Sequence, residues 1–577
     1  MQVARSIVTR QVADIPDFGE DVHPVLARVY AARNIMSRDE LERGLEKLPS
    51  YKELKSIDAA VALLADAVRS EKSILILADF DADGATSCTV AMLGLRMLGA
   101  RHVSYLVPNR FEYGYGLTPE IVAVAAQQQP DLLVTVDNGI SSIRGVEAAK
   151  QLGIQVLVTD HHLPADTLPA ADAIVNPNQP GDHFPSKNLA GVGVMFYTLM
   201  ALRACLRDQD WFNQQDMVEP NLADLLDLVA LGTVADVVPL DRVNRILVEQ
   251  GLRRIRAGRC RPGIITLLRI ANRHPAGIVS TDLGFAVGPR LNAAGRLEDM
   301  SLGIECLLTD DPDKAMTIAT QLDQLNQERR AIESDMQESA LDILRDLSLD
   351  DPDNLPPALC LFDAGWHQGV VGLLASRIKE RLHRPVIAFA PGEEGELKGS
   401  ARSIPGLHIR DTLDAVAAHH PDLLSRFGGH AMAAGLTLER DKLSAFTDAF
   451  IAEVSRQLDA DALHGVIHSD GELLPQQLNL DMAENLRRGG PWGQGFPEPV
   501  FHGRFRLLNR RIVGEKHLKL QLALNGEARA FDAIAFNTVD VDWPADVSEI
   551  EIAYRLDVNE FRGVRSAQLL IEHLRPL

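Results

Sequence analysis

The sequence predicts an α/β protein. A doubly wound parallel sheet comes first, then a long connecting helix, a second α/β domain and a C-terminal β-barrel. Three observations carry this. From about residue 55 to 200, short apolar strands alternate with helices, the order a parallel sheet with crossover connections requires. From Asp311 to Leu347 helical periodicity runs without glycine, and without proline after Pro312. Beyond about residue 460 come five short β-like runs.

The organising stretch is Ser73 to Ser87. Ile74 to Ala78 is apolar, short and β-branched, and Gly84 breaks the chain soon after it, so it reads as a buried strand. A helix is expected from Ala85 to Ala100. Around these lie a helix from Ala59 to Arg69, a strand from Val103 to Val107 and a helix from Pro119 to Gln128. The strand Leu132 to Val136, a helix from Ile143 to Leu152 and a strand running to Asp160 complete the alternation. Asn176 to Gly181 is a loop. Residues 190 to 310 read as largely helical with glycine-rich breaks. In the long helix, Ile318, Leu322, Leu325 and Ile332 form an apolar stripe.

Asp350 to Pro357, rich in Asp and Pro, is the clearest linker. The second α/β domain then shows a strand at Ala358 to Phe362, a helix at Val370 to Glu380, a strand at Pro385 to Ala390 and further helices. The last strands are expected at Arg504 to Leu508, His517 to Leu524, Ala530 to Phe536, Glu549 to Leu556 and Ala567 to Leu574. Five strands suggest a small barrel, with an OB-fold as the natural candidate. The expected boundaries are 1–50 for an N-terminal adaptor, whose Ser37 to Glu40 resembles a helix start, then 51–310, 311–349, 350–458 and 459–577.

At 577 residues the chain exceeds one core. A hydrophobic fraction of 46% with 24% charged residues is that of a globular protein. No unbroken apolar run reaches about 18 residues, and the first residues lack an apolar signal core, so neither a membrane span nor a secretory leader is expected. Five cysteines, far apart and without a CxxC pair, argue against a disulfide frame or a zinc site and fit a reducing cytoplasm. A net charge of −22 argues against a passive coat for polyanions, though not against a nucleic-acid enzyme with a local basic groove.

Chemistry gathers where strands end. Asp79, Asp81 and Asp83 follow the first strand. Asp137-Asn138-Gly139 follows Leu132 to Val136, Asp160-His161-His162 follows the next, and Asp236 sits in Val234 to Leu240. An acidic turn with a capping Asp is the ordinary alternative for any one of these. Together they favour a metal site. The carboxyl ends of parallel strands share one edge, and ionised carboxylates crowded there repel unless a cation lies between them. Carboxylates with one or two imidazoles suit Mn²⁺ or Mg²⁺, with imidazole leaning to Mn²⁺. Six or seven groups are too many for one ion and suit two.

These motifs, DADG, VDNG, TDHH and VADVVPL, continue in order with Gly288 to Arg296 (GPRLNAAGR), Gly399 to Ser403 (GSARS) and Phe427 to Leu436 (FGGHAMAAGL). The set resembles the DHH phosphoesterase superfamily and, within it, the RecJ group of bacterial single-strand-specific 5′→3′ DNA exonucleases. The resemblance runs over nearly the whole chain. It implies a DHH catalytic domain, a DHHA1 substrate-binding domain and an OB-fold. It implies two-metal hydrolysis of single-stranded DNA to 5′-mononucleotides in recombination and repair. Work as a monomer alongside single-strand-binding protein and a RecQ-type helicase is implied as well. It assigns Asp137 as the bridge between two ions, Asp81 to one ion, and Asp83, His161 and Asp236 to the other. Asp79 is a ligand or a close neighbour of one, Asp160 orients His161 through its ring N–H, and His162 faces the scissile phosphate. Many relatives with small substrates carry a His where Leu77 stands, which bears on the first ion's ligand set.

A phosphate substrate also needs donors. Arg110 follows a strand on the expected active edge. Arg290 and Arg296 flank a Gly- and Asn-bearing loop suited to cradling phosphates. Ser400 and Arg402 sit beside Gly399, which allows close backbone approach, and Gly429 with His430 resembles the DHHA1 glycine motif. The resemblance implies that Arg110, Ser400 and Arg402 grip the 5′-terminal phosphate. Near the C-terminus Trp492, Phe496, Phe501 and Phe505 interleave with Arg487, Arg488, Arg504, Arg506, Arg510, Arg511, Lys516 and Lys519, the pairing by which single strands are stacked and neutralised. Barrel core is the alternative for the aromatics. Tyr113 and Tyr115 are candidates for stacking on a terminal base. Two other functions compete: a small-substrate phosphoesterase (oligoribonuclease, nucleotide phosphatase or cyclic-dinucleotide phosphodiesterase), opposed by the barrel and by Leu77, and a metal-free scaffold, opposed by the intact acids.

Overall fold

In a computed structural model the described residues are 5–108, 116–346, 355–393, 395–514, 517–536, 538 and 547–577. Arg110, Tyr113, Tyr115 and Lys516 therefore lie outside them. The chain forms two compact units: Ile15–Asn326 with Arg487–Glu498, and Met1–Asp14 with Gln327–Leu486 and Pro499–Leu577. No described helix is long and apolar enough to cross a membrane.

The first unit is built on a five-stranded parallel sheet. Its strands run in the order Val103–Leu106, Ile74–Ala78, Leu132–Val136, Gln155–Thr159 and Ala173–Val175. In sequence order this is 2-1-3-4-5, so the chain reverses direction between Ile74–Ala78 and Leu132–Val136, and ligands bind at the carboxyl end of such a switch point. All residues of both strands are buried. On one face Leu75, Leu77, Leu133, Val156 and Val158 pack against Ile121, Val122, Ala125, Val146 and Ala149 of the helices Pro119–Ala126 and Ile143–Gln151. The helices Ile57–Arg69 and Ala82–Met97 both pack on Gly191–Asp208, and all three lie against this sheet.

The helix expected from Ala85 begins at Ala82, because Asp81 is its N-cap: Asp81 Oδ1 accepts the Gly84 N–H at 3.0 Å. The GPRLNAAGR stretch, expected as a loop, is the helix Gly288–Leu297, entered from a π turn at Leu283–Val287. The long helix runs from Pro312 to Asp346.

In the second unit, a mixed sheet follows the order Arg426–Gly429, Ala433–Glu439, Glu396–Arg402, Val386–Pro391 and Leu359–Phe362. Only the last two strands pair in parallel. The further helices expected here form at Ile409–His419 and Leu443–Gln457, but three antiparallel strands that were not expected stand before and between them. Gly399, Gly428, Gly429 and Gly435 dilute their β signal, since glycine is depleted in strands. The C-terminal strands Phe501–Val513, His517–Leu524, Ala530–Ala535, Val564–Pro576 and Glu549–Phe561 close into a barrel in that order, the expected OB-type architecture. Arg5–Thr9 pairs in parallel with Gly465–Ser469 of the same unit.

Candidate metal centre

Each acid of the site stands where a strand or helix ends. Asp79 follows Ile74–Ala78 and Asp81 caps the next helix. Asp83 lies in that helix's first turn, wholly buried, and its carboxylate meets a second helix N-terminus. Oδ2 accepts the Gly191 N–H at 2.6 Å and Oδ1 the Val192 N–H at 3.1 Å. Free N–H groups at a helix start favour an anion there. Asn292 Oδ1 accepts the Ala82 N–H at 2.8 Å, so the GPRLNAAGR helix steadies the acidic turn.

Asp137 follows Leu132–Val136 in the left-handed region, at φ 63°. Asp tolerates this conformation better than most residues, and the turn carries its carboxylate back toward the first acids. Two glycines make room. A Cβ on Gly191 would stand 2.6 Å from Asp137 Cβ, and one on Gly232 would stand 2.7 Å from Asp83 Oδ1. Asn138 ties the switch-point strands together, donating to the Val136 carbonyl at 3.0 Å and the Leu77 carbonyl at 3.3 Å.

Three sets of ligand atoms converge: Asp79, Asp81 and Asp137; Asp83, His161 and Asp236; and Asp137, His161 and His162. In each set the atoms lie within 4.8 Å of one another. His161 Nε2 is 3.1 Å from Asp137 Oδ1 and 3.5 Å from Asp236 Oδ2. Adjacent ligands of an octahedral ion stand about 3 Å apart, so the spacing suits a shared cation. Asp137 belongs to the first set, and its Oδ1 also stands beside His161 of the second, so it can serve two ions.

The electrostatics say the same. Burial, reinforced by neighbouring carboxylates, pushes Asp79 and Asp137 well above the usual carboxylate range. Burial and the Asp236 charge raise Asp83 to about 7, and burial and Asp81 raise Asp236 to about 7. Without a cation this cluster resists full ionisation. His161 is pushed down by burial and by His162, toward the neutral form that ligates metals.

The geometry corrects the role expected of Asp160. Its Oδ1 lies 2.7 Å from Nδ1 of His162, not of His161, and also accepts the backbone N–H groups of His161 at 2.7 Å and His162 at 3.1 Å. Its Oδ2 accepts the Ile140 N–H at 2.9 Å. The ring it orients is thus that of the second histidine. Burial opposes a charged His162, but the Asp160 hydrogen bond and the nearby acids outweigh it and raise His162 to about 9. The same hydrogen bond holds Asp160 below its ordinary value against the cost of burial.

Comparison with known proteins gives the family. The N-terminal domain of the DHH family matches residues 73–233, the DHHA1 domain matches 356–456 and the RecJ OB domain matches 469–573. The single-stranded-DNA-specific exonuclease RecJ of Dickeya dadantii is 56% identical over 100% of both chains. That of Escherichia coli is 53% identical over 98% of both. The chain belongs to the RecJ family. The crystal structure of RecJ in complex with Mn²⁺ from Thermus thermophilus superposes with a TM-score of 0.77 at 30% identity, covering 96% of this chain and 76% of that one. A RecJ structure from the same organism in complex with Mg²⁺ gives 0.71 at 29% identity, covering 96% of this chain and 75% of that one.

Set beside the RecJ family, the remaining candidates sort cleanly. Leu77 is wholly buried in the sheet and offers no ligand. Arg290 lies on a helix rather than a loop and is held by Asp323 at 2.8 Å, and Arg296 sits in the last turn of the same helix. Gly399 serves packing, not ligand approach: a Cβ there would stand 2.5 Å from the Phe389 ring and 2.8 Å from Leu436. Gly429 has φ 145° at the end of its strand, and the His430 N–H donates to the Ala433 carbonyl at 2.8 Å across the turn.

Ser400 and Arg402 make a site of their own. Arg402 Nη1 donates to Ser400 Oγ at 3.0 Å and to the Ala401 carbonyl at 2.8 Å, and Nε to Ser376 Oγ at 3.2 Å. A Cβ on Gly372, in the first turn of the helix Val371–Leu382, would stand 2.8 Å from Arg402 Nη2 and 2.9 Å from Ser400 Oγ. The guanidinium touches only neutral oxygens among the described residues and faces a helix N-terminus, an arrangement of donors suited to an anion.

The stacking candidates move. Trp492 and Phe496 belong to the first unit, not to the barrel. They are buried, stack on each other at 4.9 Å, and lie against Tyr30, Arg33 and Arg245. Phe501 and Phe505 are barrel core. Arg504, Arg506 and Arg510 are exposed on the first barrel strand. Asn292, Gly191 and Gly232 escaped the sequence reading. Only the Asn292 motif carried any signal, and it marked the wrong kind of element.

Proposed function

We propose that this protein is a metal-dependent exonuclease that degrades single-stranded DNA from its 5′ end and releases 5′-mononucleotides. The observation that carries it is the convergence of Asp79, Asp81, Asp83, Asp137, His161 and Asp236 at one switch point, in a chain of the RecJ family. Asp79, Asp81 and Asp137 would hold one Mn²⁺ or Mg²⁺; Asp83, His161 and Asp236 would hold a second, with Asp137 common to both. Two such ions supply Lewis acidity and an activated water at neutral pH.

The chain's own groups do the rest. Asp83 is held by two backbone N–H groups, so its carboxylate does not turn away. His162, kept cationic by Asp160, offers a charged donor to a phosphoryl oxygen. Arg402 and Ser400 hold the terminal 5′ phosphate, and capture of that end is what gives the enzyme direction. We assign this chain to recombination and repair in the cytoplasm, as a monomer working with single-strand-binding protein and a RecQ-type helicase.

The test uses single strands labelled at either end, with Mn²⁺ present. Mononucleotide release from the 5′ label first, and no attack on duplex, is the expected result. Release from the 3′ label first, equal attack on duplex, or no hydrolysis overturns the assignment.

A further inference from the structure

Between Gly251 and His274 the chain carries seven arginines, one histidine and no acid, within a protein of net charge −22. The run covers the end of the helix Arg242–Arg256, the helix Pro262–Ile270 and the loop after it. These border an open cavity of about 600 Å³, lined by Arg256, Arg269, Arg273 and His274, with Ile265 and Pro275 as apolar wall. In the same unit Arg487 donates to the Gly277 carbonyl at 2.7 Å and adds a cation beside it. No member of the metal cluster lines this cavity.

Part of this charge is spent within the fold. Glu249 takes Arg253 at 2.8 Å and Arg256 at 3.5 Å, and Asp224 takes Arg254 at 2.6 Å. Asp310 takes Arg261 at 2.6 Å, and Asp282 takes Arg273 at 3.1 Å. Arg259 and Arg269 are exposed and form no ion pair among the described residues. Unspent guanidinium charge in an acid-free stretch of an acidic protein is the footprint of a polyanion partner.

We propose that this pocket and its border are a further nucleic-acid contact, gripping the sugar–phosphate backbone of a single strand at Arg269, which lines the cavity, and at Arg259, exposed next in sequence to the lining residue Gly258. The proposal rests on the nuclease reading for its choice of polyanion. Three features favour a strand over an acidic peptide. All the cations of the run apart from His274 are arginine, whose planar fork matches phosphate oxygens in pairs. They are spread over the ends of two helices and the loops after them rather than gathered in one turn. The walls are helices and a loop, with no open strand edge on which a peptide backbone would pair.

The experiment measures strand binding by fluorescence anisotropy in EDTA, for the parent and for Arg259→Glu/Arg269→Glu. Oligothymidylates of about 40 and about 6 nucleotides serve as probes, bracketing the length a single-strand groove tracks. The variant is expected to bind the long strand at least about tenfold more weakly, with the slope of log K against log salt reduced by about 1.4, two lost phosphate contacts. Cleavage of the short probe in Mn²⁺ stays at the parental rate. The neutral Arg259→Gln/Arg269→Gln variant shows a smaller loss in the same direction and guards against misfolding of the charge reversal. Unchanged long-strand affinity and slope overturn the proposal, as does an equal loss on the short probe. Retained strand binding with lost binding of a deca-aspartate peptide also overturns it, in favour of a protein partner. Because binding is read without metal, a parent that held strands through these arginines yet cleaved none would sink the nuclease reading and support the pocket.

Discussion

Asp160 holds the ring of His162: its Oδ1 lies 2.7 Å from Nδ1, deep at the carboxyl edge of the parallel sheet. The pairing keeps His162 protonated up to about pH 9, although burial works the other way. In Asp160→Asn that charge support goes while the shape stays. Turnover is expected to fall about 10–100-fold, the usual cost of losing a group that orients a site residue. The alkaline limb of the pH–rate profile should move to lower pH, with bound Mn²⁺ unchanged. A variant with the parental pH profile would show that the His162 charge takes no part.

Asp137→Ala removes the carboxylate common to two ligand sets. Hydrolysis is expected below about 1% of the parent, with strand binding in EDTA largely kept, since the lost group serves the two-metal step. Turnover well above that level would rule out a bridging role.

Gly191→Ala tests the packing behind the site. The new methyl would stand 2.6 Å from Asp137 Cβ and 2.7 Å from its Oδ1. Displacing a reacting group by about 1 Å costs about 100-fold, so activity should drop by that order while the fold survives. Gly277→Ala, which meets nothing within 4 Å, is the control and should match the parent. Equal activity in both variants would show that the Gly191 contact is slack.

Stability of the metal-free protein should carry the signature of the crowded acids. Asp83 and Asp236 titrate near 3.8 when unfolded and at about 7 when folded. Over that window the folded chain binds more protons, so their contribution is full below the lower value and is lost as pH rises through the upper one. The Asp83→Asn/Asp236→Asn variant lacks this loss. Thermal melts in EDTA from about pH 4 to about pH 7.5 should therefore fall more steeply for the parent. Mn²⁺ should raise the parent's Tm at the high end by more than the variant's, which keeps only the Asp79, Asp81 and Asp137 set. Parallel slopes would mean the two carboxyls titrate normally.

Arg402→Ala leaves every candidate ligand in place and removes the guanidinium beside Ser400 and Gly372. The preference for 5′-phosphorylated over 5′-hydroxyl ends should shrink at least about tenfold, in line with loss of a paired, charge-assisted contact. Bound Mn²⁺ should be parental. Arg402→Lys should restore the preference only in part, because a point charge lacks the fork. A full parental preference in Arg402→Ala would place the end-binding group elsewhere.

Much of this was legible in the chain itself. Runs such as Ile74–Ala78 and Leu132–Val136 are apolar throughout because both faces of a parallel sheet are covered, so strand, crossover and strand could be counted without coordinates. The acids after those strands had to meet, because all parallel strands present their carboxyl ends to one edge. Local pattern determined those features. Tertiary structure decided the rest. Which histidine Asp160 holds depends on a tight turn, where sequence adjacency carries no direction. GPRLNAAGR reads as a loop by its glycines and is a helix, because Gly295 lets it press against the Phe80 carbonyl while Asn292 takes the Ala82 N–H. Trp492 and Phe496 lie next to the barrel in sequence yet pack on Tyr30, near the other end of the chain, where stacking buries their aromatic area. Periodicity reports which side of an element is buried. Only long-range packing decides against what.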